Sequence, residues 1–157
     1  MSPAPNPASV VDPDAFSVSR TITIAAPPER VWDAITEPEQ IAKWSAFTPS
    51  MDRLAVRGEG AWVLPNFGST PITIEQLDPP FSITYRWGPS GAAHVDRALS
   101  TVFQFTLEEI PDGTRLTVVE SGFEFLADPA EQLESHRQGW DSQLDALTAH
   151  FATAVTT

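Results

Sequence analysis

Three sets of residues in this sequence could do chemistry. The first is a scatter of ionisable and phenolic groups: Glu75, Tyr85, Arg86, His94, Arg97, Glu120 and His136. Any of them could supply an acid, a base or an anchor for a bound molecule. The second is a group of large rings: Trp44, Phe47, Trp62, Tyr85, Trp87, Phe103, Phe105 and Trp140. Such rings either fill a core or line a hollow, because sites for small organic molecules are mostly apolar with a few placed polar groups. The third is a single residue, Gly139, which precedes Trp140 inside a helical pattern. A glycine there costs about 1 kcal/mol against alanine. It leaves room either for a ligand or for a close backbone contact.

Each polar candidate also has a plainer reading. Glu75 and Arg86 alternate with apolar neighbours, which places them on an outward, solvated face. His94 falls in the loop from Gly88 to Arg97 and reads as exposed. His136 lies one turn before Trp140 and looks either into the mouth of a pocket or out to solvent.

Several chemistries are absent from the pattern. With no cysteine there is no disulfide, thiolate nucleophile or cysteine-held metal. The three histidines lack metal-ligand spacing. No Gly-x-Ser-x-Gly elbow supports a nucleophilic serine. Arg57-Gly58-Glu59-Gly60 is too short for a phosphate loop and carries an acid where phosphate would sit. No metal and no cofactor is expected.

The elements that must position these residues follow from periodicity and turn signals. Ser17 to Ile24 alternates as a first strand. Two short helices follow, one opened by Pro27-Pro28 with Val31, Trp32 and Ile35 as its apolar positions, one at Glu37-Pro38-Glu39 with Ile41 and Trp44. Strands are expected near 51–56, 61–66, 70–77, 81–87, 100–110 and 114–120, broken by Gly58-Glu59-Gly60, Asn66-Phe67-Gly68, Asp78-Pro79-Pro80, Gly88-Pro89-Ser90-Gly91 and Pro111-Asp112-Gly113. These gaps leave no room for crossover helices, so the strands must run antiparallel. Phe81, Ile83, Tyr85 and Trp87 share one face, as do Phe103, Phe105 and Leu107. From Asp128 to about Val155 runs one long helix. Asp128 and Glu131 read as its capping box, and Leu133, Trp140, Leu144, Leu147, Phe151 and Ala154 or Val155 form its apolar stripe. The fold class is therefore α+β: a seven-stranded antiparallel sheet curved around a long C-terminal helix, with two short helices after the first strand. Residues 1–15 lack periodicity and read as a disordered tail ahead of one domain over 16–157.

Composition narrows the partners. The net charge of −12 repels phosphate backbones and anionic lipid, so neither nucleic acid nor a membrane surface is expected. No run of about 18 apolar residues offers a transmembrane helix. The first residues show no basic and apolar leader, and a cytoplasmic protein is the simplest expectation.

Ile24-Ala25-Ala26-Pro27-Pro28-Glu29-Arg30-Val31-Trp32-Asp33-Ala34-Ile35-Thr36-Glu37-Pro38 resembles the opening signature of the START-like (SRPBCC) superfamily. The resemblance is closest to its group resembling activators of the heat-shock protein 90 ATPase. Leu77-Asp78-Pro79-Pro80, Thr106-Leu107-Glu108, Gly113-Thr114-Arg115-Leu116-Thr117, Glu120-Ser121-Gly122-Phe123 and Gly139-Trp140 with Leu144 fit the same group. The resemblance spans roughly residues 17–155. It implies the helix-grip fold, with a cavity between long helix and concave sheet that the superfamily uses for apolar molecules. Three functions follow as expectations: a carrier or sensor of a small apolar molecule; a small enzyme of the cyclase, dehydratase or hydrolase kind using cavity acid–base groups; and a module that acts on a chaperone. For the first, the expected ligand-binding residues are Trp44, Trp62, Tyr85, Trp87, Phe103, Phe105, His136, Trp140 and Leu144, with Tyr85 and His136 supplying the polar contacts.

Overall fold

The computed structural model describes residues 6–65 and 68–155, the last three by backbone alone. Among these residues eight strands run β1 Val10–Asp12, β2 Ser17–Ile24, β3 Thr48–Met51, β4 Glu59–Leu64, β5 Gly68–Asp78, β6 Ser82–Trp87, β7 Thr101–Ile110 and β8 Gly113–Ser121. The helices are α1 Pro28–Thr36, α2 Pro38–Trp44 and α3 Pro129–Val155, with a short 3-10 turn at Phe123–Phe125. All strands pair antiparallel in one sheet of order β1-β2-β8-β7-β6-β5-β4-β3. The sheet curves around α3, which is the helix-grip arrangement. No helix among the described residues is long and apolar enough to cross a membrane.

The inner face of the sheet follows from strict alternation. Ile83 and Tyr85 on β6, Phe103, Phe105 and Leu107 on β7, and Leu116 and Val118 on β8 are all buried. Against them α3 lays Leu133, Trp140, Leu144, Leu147 and Phe151, all buried at helical spacing. The expected contributions of Ala154 and Val155 concern side chains outside the described residues.

One buried cation fixes where α3 sits. Arg20, on β2 and 5% exposed, donates through Nε to the Pro7 carbonyl at 2.7 Å and through its terminal nitrogens to the Asp141 carbonyl at 3.0 Å and the Asp145 carboxylate at 2.7 Å. Its planar fork ties the sheet, the N-terminal segment and the middle of α3 together.

Five expectations are corrected. The sheet has eight strands, not seven, because Val10–Asp12 pairs with Ser17–Ser19. Three residues are too few to show alternation. The loose tail gives way over residues 6–12: Ser9 N–H donates to Asp141 Oδ1 at 2.7 Å, and Asn6 Oδ1 accepts the Thr23 N–H at 2.9 Å. The strand placed at 51–56 is instead Thr48–Met51. Its continuation folds into a tight loop in which Asp52 and Glu59 exchange hydrogen bonds at 2.9 and 2.8 Å. Phe81 is not on the aromatic face; it sits in the turn before β6, 51% exposed. The capping box at α3 does not form, since Asp128 adopts a left-handed φ of 51° and starts the helix only through its carbonyl, which accepts the Gln132 N–H. Of the turn expected at 66–68, Asn66 and Phe67 lie outside the described residues.

Candidate functional site

At one end of the sheet the alternation of β8 continues past Leu116 and Val118 and places Glu120 on the inner face, fully buried. A carboxylate there is costly unless its oxygens are hydrogen-bonded. Four donors meet it. Trp140 Nε1–H, from α3, reaches Oε1 at 2.8 Å, and His136 Nδ1 lies 2.9 Å from the same oxygen. Thr101 Oγ1–H, from β7, reaches Oε2 at 2.5 Å, and Trp87 Nε1–H, from β6, reaches it at 3.0 Å. The register makes this meeting unavoidable. Trp87 stands opposite Thr101, and Phe103, the next inward residue on β7, stands opposite Glu120.

The electrostatics follow from those contacts. Burial alone pushes the Glu120 carboxyl up, but the hydrogen bond and charge of His136, with Thr101 and Trp87, outweigh it and hold the carboxyl below its ordinary range. Burial likewise pulls the His136 imidazole down, and the Glu120 carboxylate overrides it, so the imidazole is held above its ordinary value. With an ionised carboxylate at Nδ1, the proton there is donated to Glu120 and Nε2 is left over. Among the described residues none supplies a hydrogen bond to Nε2.

Beside this cluster lies a hollow of about 270 Å³ between α3, the α2–β3 segment and the sheet. Trp44 and Phe47 wall one side, Trp62, Leu64, Trp87 and Phe105 form the floor, and His136, Gly139, Trp140 and Gln143 line the α3 side. The rings hold one another: Trp62 is tilted against Phe47 at 5.5 Å and edge-on to Trp87 at 6.0 Å, and Phe105 is edge-on to Trp140 at 5.8 Å between centroids. Trp44 is pinned by its own indole N–H on the Ala34 carbonyl at 2.8 Å. Gln143 accepts from Ser45 Oγ and from the Ala46 N–H through Oε1, and among the described residues its amide nitrogen has no partner. A second hollow of about 460 Å³ adjoins the first and shares Phe47, Leu64, Trp87 and His136 with it.

Gly139 settles one alternative. A Cβ built on it meets nothing within 4 Å. The glycine therefore does not serve a close backbone contact; it leaves space at the rim of the hollow.

Of the nine residues expected to bind a ligand, Trp44, Trp62, Trp87, Phe105, His136 and Trp140 line the hollow. Tyr85, Phe103 and Leu144 do not; all three are buried behind its wall. The Tyr85 hydroxyl is already spent on the Ile35 carbonyl at 3.0 Å, and burial pushes the phenol far above its ordinary range. Glu75 and Arg86 lie on the other face, paired at 2.7 Å, with Arg97 joining Glu75 at 2.9 Å. His94 is exposed. Phe47 is one of the candidate rings but not one of the nine expected contacts, and Gln143 and Thr101 carry no sequence signal that marks them. Glu120 was weighed as one scattered acid; its signal was an acid at an inward position of an apolar alternation. Among the described residues no group of three or more His, Asp and Glu is placed to hold a metal ion.

A family model described as Activator of Hsp90 ATPase homolog 1-like protein matches residues 25–152. Among curated proteins none matches the chain. A crystal structure of a protein from Mesorhizobium loti is similar at 27% identity, with 85% of this chain and 94% of that one covered and a TM-score of 0.72. CalU16 from Micromonospora echinospora is similar at 22% identity, covering 95% and 85%, with a TM-score of 0.66. The Aha1 dimer from Colwellia psychrerythraea follows at 18% identity, covering 86% and 95%, with a TM-score of 0.69. The last two share the fold with this chain.

Proposed function

The chain belongs to the family of Activator of Hsp90 ATPase homolog 1-like proteins, and from that premise we propose that it binds one small, largely apolar, ring-shaped molecule in the hollow between sheet and α3. One observation carries this reading: a hollow of about 270 Å³ is walled by Trp44, Trp62, Trp87 and Trp140, and at its exposed rim Gly139 presents no side chain, with nothing within 4 Å of where a Cβ would stand. Protein interiors are packed nearly as densely as organic crystals, and rings that border a void forfeit dispersion contacts. Any side chain at Gly139 would fill part of that space and improve the helix, yet the sequence keeps a glycine. A bound molecule restores the missing contacts.

The magnitude is sufficient. Burial contributes about 25 cal/mol per Å², so a molecule hiding ~250 Å² of apolar surface gains roughly 6 kcal/mol before the costs of association. Without those costs that would correspond to tens of micromolar, so with a preformed site binding is expected in the sub-millimolar to millimolar range. The family description names an activator of a chaperone ATPase, and that activity belongs to the proteins so described. The hollow is built by this chain's own residues.

The experiment is a thermal-shift screen of two- and three-ring aromatic and lipid-like molecules against the full chain. A ligand that binds only the folded state raises the melting temperature progressively with its concentration. If no member of such a panel shifts the transition at millimolar concentration, the binding reading fails.

A further inference from the structure

We propose that His136, positioned by Glu120, is the proton-accepting centre of the hollow, and that the molecule it takes is an aromatic one carrying a phenolic or enolic hydroxyl. This inference rests on the binding reading above and specifies its ligand.

The argument starts from the geometry of the pair. Glu120 is anchored by three donors besides the imidazole, from Thr101, Trp87 and Trp140, so it cannot turn to another partner. It therefore dictates the state of His136: Nδ1, 2.9 Å from Oε1, carries the proton and donates it to the carboxylate. The ring itself is clamped edge-on against Phe123, at 5.0 Å between centroids, and Trp87, at 6.1 Å. Among the described residues, Nε2 is the one polar atom of the cluster without a partner, on a residue that borders both hollows.

A hydroxyl suits this atom in either protonation state. When the imidazole is neutral, Nε2 presents a lone pair and accepts the O–H. When it is protonated, Nε2–H meets the ionised oxygen. Both routes reach the same complex, with one proton between the ligand oxygen and Nε2. As the proton passes from oxygen to Nε2, the oxygen keeps the bonding pair as an anion and the imidazolium charge is matched by the Glu120 carboxylate; on release the proton returns. An ether or a bare hydrocarbon cannot use the neutral form at all.

The surroundings of His136 leave Glu120 in control. From β8 the carboxylate of Glu120 meets it. From β6 and the turn after β8 come the uncharged rings of Trp87 and Phe123. On α3 itself Glu134 is paired with Arg137, and Arg137 with Asp141. The upward displacement of the imidazole is ascribed to Glu120 alone.

The test compares 2-naphthol with 2-methoxynaphthalene, titrated by quenching of tryptophan fluorescence into the full chain and into His136→Asn. Asparagine keeps a nitrogen near the place of Nδ1, able to donate to Glu120, and removes Nε2. Measured on the alkaline side of the raised imidazole value, where Nε2 is a bare acceptor that an ether cannot use, the wild type should hold the naphthol several-fold to about 10-fold tighter than the ether. His136→Asn should abolish that preference while still binding the ether. Equal affinities in the wild type, or a preference that survives in His136→Asn, overturn the inference and leave the binding reading intact. If neither probe nor any of the panel above binds, the binding reading falls and this one falls with it.

Discussion

His136 Nδ1 lies 2.9 Å from Glu120 Oε1, the same oxygen that accepts the Trp140 indole N–H at 2.8 Å. Two residues of one helix, four positions apart, thus converge on a single buried oxygen of the sheet. The carboxylate joins α3 to β8 and sets which atom of the imidazole is left for the hollow. Structure and site chemistry share this one link.

Replacing Glu120 removes the acceptor for Thr101, Trp87, His136 and Trp140 together. Breaking a buried charged cluster by deleting one member costs about 3–5 kcal/mol. Glu120→Ala should lose that much by denaturant midpoint, and Glu120→Gln, which keeps an acceptor and the shape, should lose clearly less. A loss below about 1 kcal/mol for the alanine variant would show that the four donors are satisfied some other way.

The same pair gives stability a defined pH window. Glu120 is held below the ordinary carboxyl value of 4.5, so its contribution is present above that value and is lost as pH falls through the lowered folded one. His136 is held above the ordinary 6.5, so its contribution is complete below 6.5 and is lost as pH rises through the raised folded value. Melting temperatures measured across pH should plateau between these limits and decline on the alkaline side. In His136→Asn the alkaline decline attributable to this group should vanish. An unchanged profile in that variant contradicts the assignment.

Tyr85 separates core from site. Its hydroxyl is committed to the Ile35 carbonyl and does not border the hollow. Tyr85→Phe should cost about 1–2 kcal/mol from the buried acceptor left behind and leave probe affinity within about twofold. A large change in affinity with stability preserved would put Tyr85 back among the contact residues.

Removal of residues 1–12 should destabilise the domain. It deletes β1, the Ser9 contact to Asp141 and the Pro7 carbonyl on which buried Arg20 rests. Losing such partners costs about 1–3 kcal/mol. At roughly 2–4 °C per kcal/mol for a chain this size, the melting temperature should fall by several degrees. No change would show that residues 6–12 add nothing to the fold.

The sequence carried the fold because its strongest signals are local. Alternation through Ile83-Tyr85 and Phe103-Phe105-Leu107, and the helical stripe from Leu133 to Phe151, each reflect burial on one face. What escaped was short or long-range. Val10–Asp12 is too brief to alternate, and its reason to be a strand lies in its pairing with β2. Asp128 has the residue type of a cap, but the turn after Phe125 delivers it with a left-handed backbone. In the site, aromatic residue type identified Trp44, Trp62, Trp87, Phe105 and Trp140 without telling which rings face the hollow and which, like Phe103, lie behind. Glu120 was legible only by trusting the alternation over the residue type: Leu116, Val118 and Glu120 share one face. Likewise His136, three residues after Leu133 and four before Trp140, belongs to the buried stripe of α3.

The central claim is that the space facing Gly139 is where a molecule binds, and one comparison tests it most directly. Gly139→Leu introduces a side chain where a Cβ meets nothing within 4 Å, so it should fold normally and gain up to about 1 kcal/mol of helix propensity. Titrated with 2-methoxynaphthalene by tryptophan quenching, the wild type should saturate and Gly139→Leu should lose at least about 10-fold in affinity at undiminished stability. Equal affinity in the two proteins would contradict the account, because the molecule would then be binding somewhere other than the hollow.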